Sequence, residues 1–220
     1  MRRILAYVEG PTEEAFINRI VAPHLYGYDL VIIPTIATTK RVIGGPDFKG
    51  GFVPYTKAKK EIKRLLGDSD VVAVTSMLDY YALPKGFPGK EDMPAGDCFR
   101  KVEHLEDRLH EDISDGRFIP YFSLHEFEAL VFTSPDEVGA AFPDEAIKGQ
   151  IEDINSRVNS PEEIDDGKTT HPSARLMSLI PSYRKALHGP VITERIGLAA
   201  VRENCPHFAA WVTKLEQLSR

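Results

Sequence analysis

The sequence predicts an α/β protein built on a mostly parallel sheet. Three observations carry this. Four short apolar runs, at residues 4–8, 30–37, 71–78 and 118–124, have the length and composition of buried strands. The segments between them repeat apolar residues at steps of three and four, the spacing of amphipathic helices. Strands that alternate with helices form right-handed crossover units, which place strands parallel and cover both sheet faces. The chain has 220 residues, of which 42% are hydrophobic, enough to bury a core without disulfide or metal staples.

Taken in order, Ile4 to Val8 is the first strand, and Gly10-Pro11-Thr12 ends it. Glu13 and Glu14 then fall in the first turn of a helix, where carboxylates suit the positive end of the dipole. Phe16, Ile17, Ile20, Val21 and Leu25 continue that helix. After the second strand, glycine pairs at 44–45 and 50–51 mark a flexible loop within a basic stretch. Ala58, Ile62, Leu65 and Leu66 mark the next helix, with Thr56 as its expected cap and Gly67 as its stop. The third strand ends near Leu78, and the Pro- and Gly-rich residues 84–94 form a loop. Val102, Leu105, Leu109 and Ile113 form one helix face before the fourth strand. Beyond Pro135 only helical patterns follow, with a break expected at Gly189-Pro190. Trp211, Phe208, Val212 and Leu215 read as a core or interface stripe. The chain thus divides into an α/β domain, 1–135, and a mainly helical C-terminal part, 136–220, packed on it.

Charge narrows the function. The net formal charge is −6, yet residues 136–166 alone carry −8, so the remainder sums to +2. An acidic chain is a poor nonspecific DNA binder, whereas segregated charge leaves room for a basic face. Lys57, Lys59, Lys60, Lys63 and Arg64 share one helix, and such a row either lies in solvent or grips a phosphate backbone. No apolar run approaches the ~20 residues of a spanning helix, so no membrane association is expected. The apolar run behind Met1-Arg2-Arg3 is too short for a secretion signal. The two cysteines, Cys98 and Cys205, have no partner at zinc spacing, and a reducing cytoplasm is the expected location. No Gly-Lys-Ser/Thr follows the glycine-rich loop, which excludes a P-loop ATPase.

The chemistry concentrates at strand ends. Glu9 closes the first strand and Asp79 the third. In a parallel sheet these ends share one rim, where sites of open α/β sheets form. Two carboxylates with waters and phosphate are what magnesium asks for. Glu126 and Glu128 follow the fourth strand in Leu124-His125-Glu126-Phe127-Glu128. They share a side if that segment stays extended and diverge if it turns helical. Phe127, Leu130 and Val131 favour a helix with Glu128 near its start, in which case one of the two acids faces the site. Glu13 is a further candidate ligand. His125 is a candidate general acid, and His188 a phosphate-facing group or a helix cap. Every one of these residues also has an ordinary structural reading.

The segment Val8-Glu9-Gly10-Pro11-Thr12-Glu13-Glu14-Ala15-Phe16 resembles the opening motif of Toprim domains, found in topoisomerases, primases and OLD-type nucleases. The whole chain resembles a bacterial Toprim-like family of unknown function, related to RloB-type and OLD-type defence proteins. Three further blocks carry this: residues 79–84, residues 124–130, and Leu187-His188-Gly189-Pro190 with Arg195-Ile196-Gly197-Leu198. The resemblance implies a Toprim-like sheet, a catalytic or metal-binding Glu9, a magnesium- or manganese-binding Asp79 and, since similar families place a Phe-Glu pair at 127–128, Glu128 as the functional acid. It also implies a setting in phage defence. The second Asp of the usual Asp-x-Asp pair is Tyr81 here, and a tyrosine hydroxyl is a poor magnesium ligand.

The leading expectation is therefore a metal-dependent phosphoryl-transfer enzyme, a nuclease on DNA or RNA. Its metal would lie among Glu9, Asp79, Glu13, Glu126 and Glu128, with His125 beside it. Lys57, Lys60, Arg64 and His188 would contact the nucleic acid. The rival expectation is a binding or sensing subunit beside a partner ATPase. A small-molecule phosphatase or nucleotide-modifying enzyme is a third. Homo-oligomerisation is open.

Overall fold

A computed structural model describes residues 1–37, 53–81, 83–165 and 167–219. The glycine-rich loop expected at 44–51 lies outside them. The expected α/β architecture is observed. Strands β1 (Arg2–Val8), β2 (Leu30–Ile36) and β3 (Val71–Asp79) pair in parallel in the order β2-β1-β3. The fourth strand is interrupted. Its two pieces, β4 (Phe118–Ile119) and β5 (Phe122–Ser123), both pair parallel with β3 and keep one register, Val74 opposite Phe118 and Asp79 opposite Ser123. Pro120 has no N–H to give the ladder, which accounts for the interruption. Ser76 bridges it: its Oγ accepts the Tyr121 N–H at 3.0 Å and lies 3.2 Å from the Tyr121 carbonyl oxygen.

Both faces of the sheet are buried, as parallel sheets require. Ile4, Ala6 and Val8 of β1 point into one core. Tyr7 points into the other, under α3 (Tyr55–Leu66) and α4 (Cys98–Ile113). The first core is covered by α1 (Pro11–Phe16), a five-residue π segment (Ile17–Val21) and α2 (Ala22–Tyr26), with a 3-10 helix (Phe127–Thr133) and the C-terminal helices. Those helices are α5 (Pro135–Ala141), α6 (Glu145–Asn155), α7 (Pro172–Leu179), α8 (Lys185–Ile196), α9 (Leu198–Asn204) and α10 (Pro206–Glu216).

Helix α10 is tied to the sheet by polar bonds as well as apolar burial. The Trp211 indole donates to Thr75 Oγ1 at 2.8 Å, and its ring stacks on Tyr121 at 4.6 Å. The backbone N–H groups of His207 and Phe208, at its N-terminus, donate to Glu162. The expected stripe is core: Phe208, Trp211, Val212 and Leu215 are all buried. Among the described residues no helix is long and apolar enough to cross a membrane.

Two expected boundaries are corrected. Thr56 does not cap α3, which begins at Tyr55 behind Pro54 with no side-chain cap. Gly189-Pro190 does not break the chain, because α8 runs through it to Ile196. A Cβ on Gly189 would stand 3.0 Å from the Phe127 ring and 3.1 Å from the Tyr183 hydroxyl, so glycine permits this close approach. Thr193 Oγ1 donates to the carbonyl oxygens of Gly189 and Pro190, which supports the turn around the proline. The break comes instead at Gly197, whose φ of +81° suits glycine.

Replacing Ser76 by Ala strands the buried Tyr121 N–H. S76A is expected to lower unfolding free energy by about 1–3 kcal/mol in urea titration, with the native spectrum retained.

Candidate functional site

The carboxyl ends of β1, β3 and β5 meet at one rim, and the chain places acids on each exit. Glu9 leaves β1, and its Oε2 accepts the backbone N–H of Asp79 at 3.1 Å. Asp79 ends β3, and its Oδ1 accepts the N–H of Phe127 at 3.0 Å. The two bonds run in series, so β1 holds the end of β3 and β3 holds the start of the 3-10 helix. Glu13 folds back within α1, where its Oε2 accepts the Gly10 N–H at 2.8 Å as in a capping box.

After β5 the chain turns sharply at His125, whose φ of +61° is unusual for a residue other than glycine. The turn lets the His125 carbonyl accept the Tyr81 N–H at 2.7 Å and sets Glu126 at the N-cap of the 3-10 helix. Glu128 is in the first turn of that helix, as its sequence predicts. Phe127, between the two acids, packs into the core against Phe16 of α1 at 5.1 Å. The apolar anchor thus fixes where both carboxylates lie.

Glu126 and Glu128 are 5% and 2% exposed, yet their surroundings differ. Glu126 is saturated with donors: the Lys185 ammonium at 2.8 Å, the Ser173 hydroxyl at 3.0 Å, the Ser173 N–H at 2.9 Å and His171 Nδ1 at 2.8 Å. Glu128 has Lys185 at 3.5 Å from Oε2, and its Oε1 is buried with no hydrogen-bond partner.

These surroundings set the protonation states. Burial pushes Glu128 up to about 7, with Lys185 opposing and Glu126 adding to the rise. Burial pushes Glu13 to about 8, reinforced by the charges of Glu9 and Glu128. Asp79 is held well above the ordinary carboxyl range by burial and then by Glu9, Glu13, Glu128 and Glu126. Burial also raises Glu9, against the Asp79 N–H and the Lys185 charge. Burial would raise Glu126 too, but Lys185, Ser173 and His171 carry it below that range. Lys185 itself is held firmly protonated by Glu128 and Glu126, which outweigh its burial.

The structure brings Glu9, Asp79, Glu13, Glu126 and Glu128 into one electrostatic group, and it places the other candidates differently. His125 is buried with its ring against Tyr80 at 5.7 Å. His188 lies in the first turn of α8, where its Nδ1 accepts the Arg184 N–H at 2.8 Å and its ring meets Phe142. Lys57 and Lys60 lie toward the start of α3. Arg64 is in its last turn, near Leu66, whose carbonyl binds Arg117 ahead of β4. That turn lies beside the residues that lead into β4, so Arg64 stands away from the carboxyl ends of the strands. Tyr81 stacks on His171 at 4.5 Å and 23°.

Sequence reasoning missed Lys185, His171 and Ser173. Lys185 stands two positions before the Leu187-His188-Gly189-Pro190 block, and nothing local separates it from any surface lysine.

The raised acids give stability a definite pH dependence in metal-free buffer. Between about 4.5 and their folded values, Glu13 and Glu128 hold protons that the unfolded chain has released, so stability falls as pH rises across that window. Glu126 acts in the opposite sense, its contribution being lost as pH falls. The raised group is the larger, so melting temperature in EDTA is expected to drop from pH 5.5 to 8.5. At pH 8, E128Q should recover on the order of 1–3 kcal/mol, since a carboxyl titrating near 7 instead of 4.5 costs about 3 kcal/mol to ionise. A flat profile for both proteins would refute this account.

The family model described as "Domain of unknown function (DUF4276)" matches residues 8–216. Among solved structures, the C-terminal region of the Burkholderia pseudomallei OLD protein is similar, with 16% identity, complete coverage of both chains and a TM-score of 0.47. Among curated proteins no relative matches. With nearly its whole length matched, the chain belongs to the DUF4276 family.

Proposed function

We propose that this rim binds a divalent cation, magnesium or manganese, and that the protein is a metal-dependent phosphoryl-transfer enzyme, a nuclease acting on DNA or RNA. The observation that carries the reading is a group of five acids at the strand ends, one of them with a buried unpartnered oxygen, and Lys185 as the cation bonded among them. Buried charge of one sign requires a counter-charge. The donor set is all oxygen, which suits a hard ion. It is not a preformed cage: among the described residues no three His, Cys, Asp or Glu side chains are already grouped to hold a metal. Ligation would draw on Glu9, Asp79 and Glu128, each of which keeps an oxygen outside its present hydrogen bonds. Glu13 would stand behind them, and Glu126 would stay engaged with Ser173 and His171.

A bound divalent ion would polarise the phosphodiester and stabilise the leaving oxygen. The protein's own residues do the positioning. The Asp79 and Phe127 N–H groups orient Glu9 and Asp79, and Phe127 in the core holds the 126–128 turn. The sequence resemblance to RloB-type and OLD-type proteins suggests phage defence as the setting.

The lack of a ready-made three-acid set, with Tyr81 in place of an acid and stacked on His171, favours a second reading. In it the chain is a non-catalytic binding or sensing subunit working with a partner ATPase.

Calorimetry with manganese and magnesium, followed by incubation with single- and double-stranded DNA and RNA, separates the two. The enzyme reading expects metal binding in the wild type and cleavage reduced roughly a hundredfold or more in E9Q and D79N. Absence of binding at millimolar metal supports the subunit reading. Cleavage equal in all three proteins removes the rim from the mechanism.

A further inference from the structure

We infer that Lys185 is a resident counter-ion that a divalent cation must displace, so that this side chain sets the metal affinity of the rim. The inference rests on the metal reading above and goes beyond it by assigning a residue to control of that site.

The geometry is specific. Lys185 is the first residue of α8, and its ammonium lies 2.8 Å from Glu126 Oε1 and 3.5 Å from Glu128 Oε2. It bridges the saturated acid and the under-partnered one. The acids are fixed: Phe127 pins their segment to the core, and both are almost wholly buried. The lysine is not. Its side chain is 40% exposed and ends in a four-carbon stem, so it can swing to solvent without moving backbone. A point charge with freely rotating donors is a replaceable occupant, unlike a guanidinium locked bidentately.

Two consequences follow. Metal entry beside Glu128 brings a dication close to an ammonium, and the repulsion expels the ammonium. Affinity is then the difference between the metal's attraction to the acids and the lysine's. Departure of Lys185 also leaves Glu126 with Ser173 and His171, which still satisfy it. The rim can therefore exist in a lysine-held form and a metal-held form, with Glu126 hydrogen-bonded in both.

The test compares manganese binding by wild type, K185M and K185R at pH 8 by calorimetry, with melting curves in EDTA and in manganese. K185M is expected to bind manganese roughly tenfold more tightly than wild type. It should melt lower in EDTA and gain more from the metal, while K185R, whose guanidinium is harder to displace, should bind manganese more weakly than wild type. Should K185M fail to fold, the wild type still decides. The acetylation rate of Lys185 by acetic anhydride, read by peptide mass spectrometry, is expected to rise when manganese is added, because the amine leaves its ion pair. If wild type binds manganese while K185M binds it no more tightly, or if Lys185 reactivity is unchanged by manganese, the counter-ion role is wrong and the metal reading survives. If no protein binds manganese, both fall together.

Discussion

The bond from the Asp79 N–H to the Glu9 carboxylate fixes the rest of the site. It joins the ends of two adjacent parallel strands and turns one acid toward another. Carboxylates repel, and the arrangement persists because each is held by a backbone N–H: Glu9 by Asp79, Asp79 by Phe127 and Glu13 by Gly10. Parallel pairing makes these bonds possible, since only strands running the same way deliver all their exits to one edge.

The helices after residue 135 complete that edge. They bring Ser173 and His171 to Glu126, and Lys185 to Glu126 and Glu128. The same region reaches the sheet a second time through Trp211, which donates to Thr75 of β3, while His207 bonds Glu106 of α4. Tyr121 is at the hinge of these contacts. Its backbone meets Ser76 of β3, and its ring stacks between His207 and Trp211. The strand that leads to the acids and the helix that closes the core therefore share one support, and the site depends on the C-terminal helices for both charge and position.

Much of this was legible in the sequence, and what was not has physical causes. The strands showed because a parallel sheet buried on both faces needs continuous apolar runs, and β1 and β3 supply them. Glu9 and Asp79 showed because a strand end is marked by where apolarity stops, and Glu128 because the Phe-Glu pair resembles that of similar families. The split of the fourth strand did not show, since Pro120 interrupts a run whose flanks both look extended. Pro190 misled because its usual effect is a break, whereas a close-packed Gly189 and the Thr193 hydroxyl accommodate it inside α8. Lys185 and His171 were invisible for a different reason. Their roles come from tertiary contacts across 45 to 59 residues of sequence, and no local period encodes them.

Tyr81 shows how the site differs from one built on an Asp-x-Asp pair. An aspartate there would add another negative group to a rim where burial and four neighbouring acids already hold Asp79 well above the ordinary carboxyl range. Tyrosine brings no carboxylate to the rim. Its N–H holds the His125 carbonyl and its ring backs His171, which in turn bonds Glu126. The residue therefore braces the turn that presents Glu126 and Glu128. The acids missing from β3 are supplied by the segment after β5, and Lys185 balances them there. Moving the carboxylates off the strand and onto a 3-10 turn puts them within reach of a flexible cation.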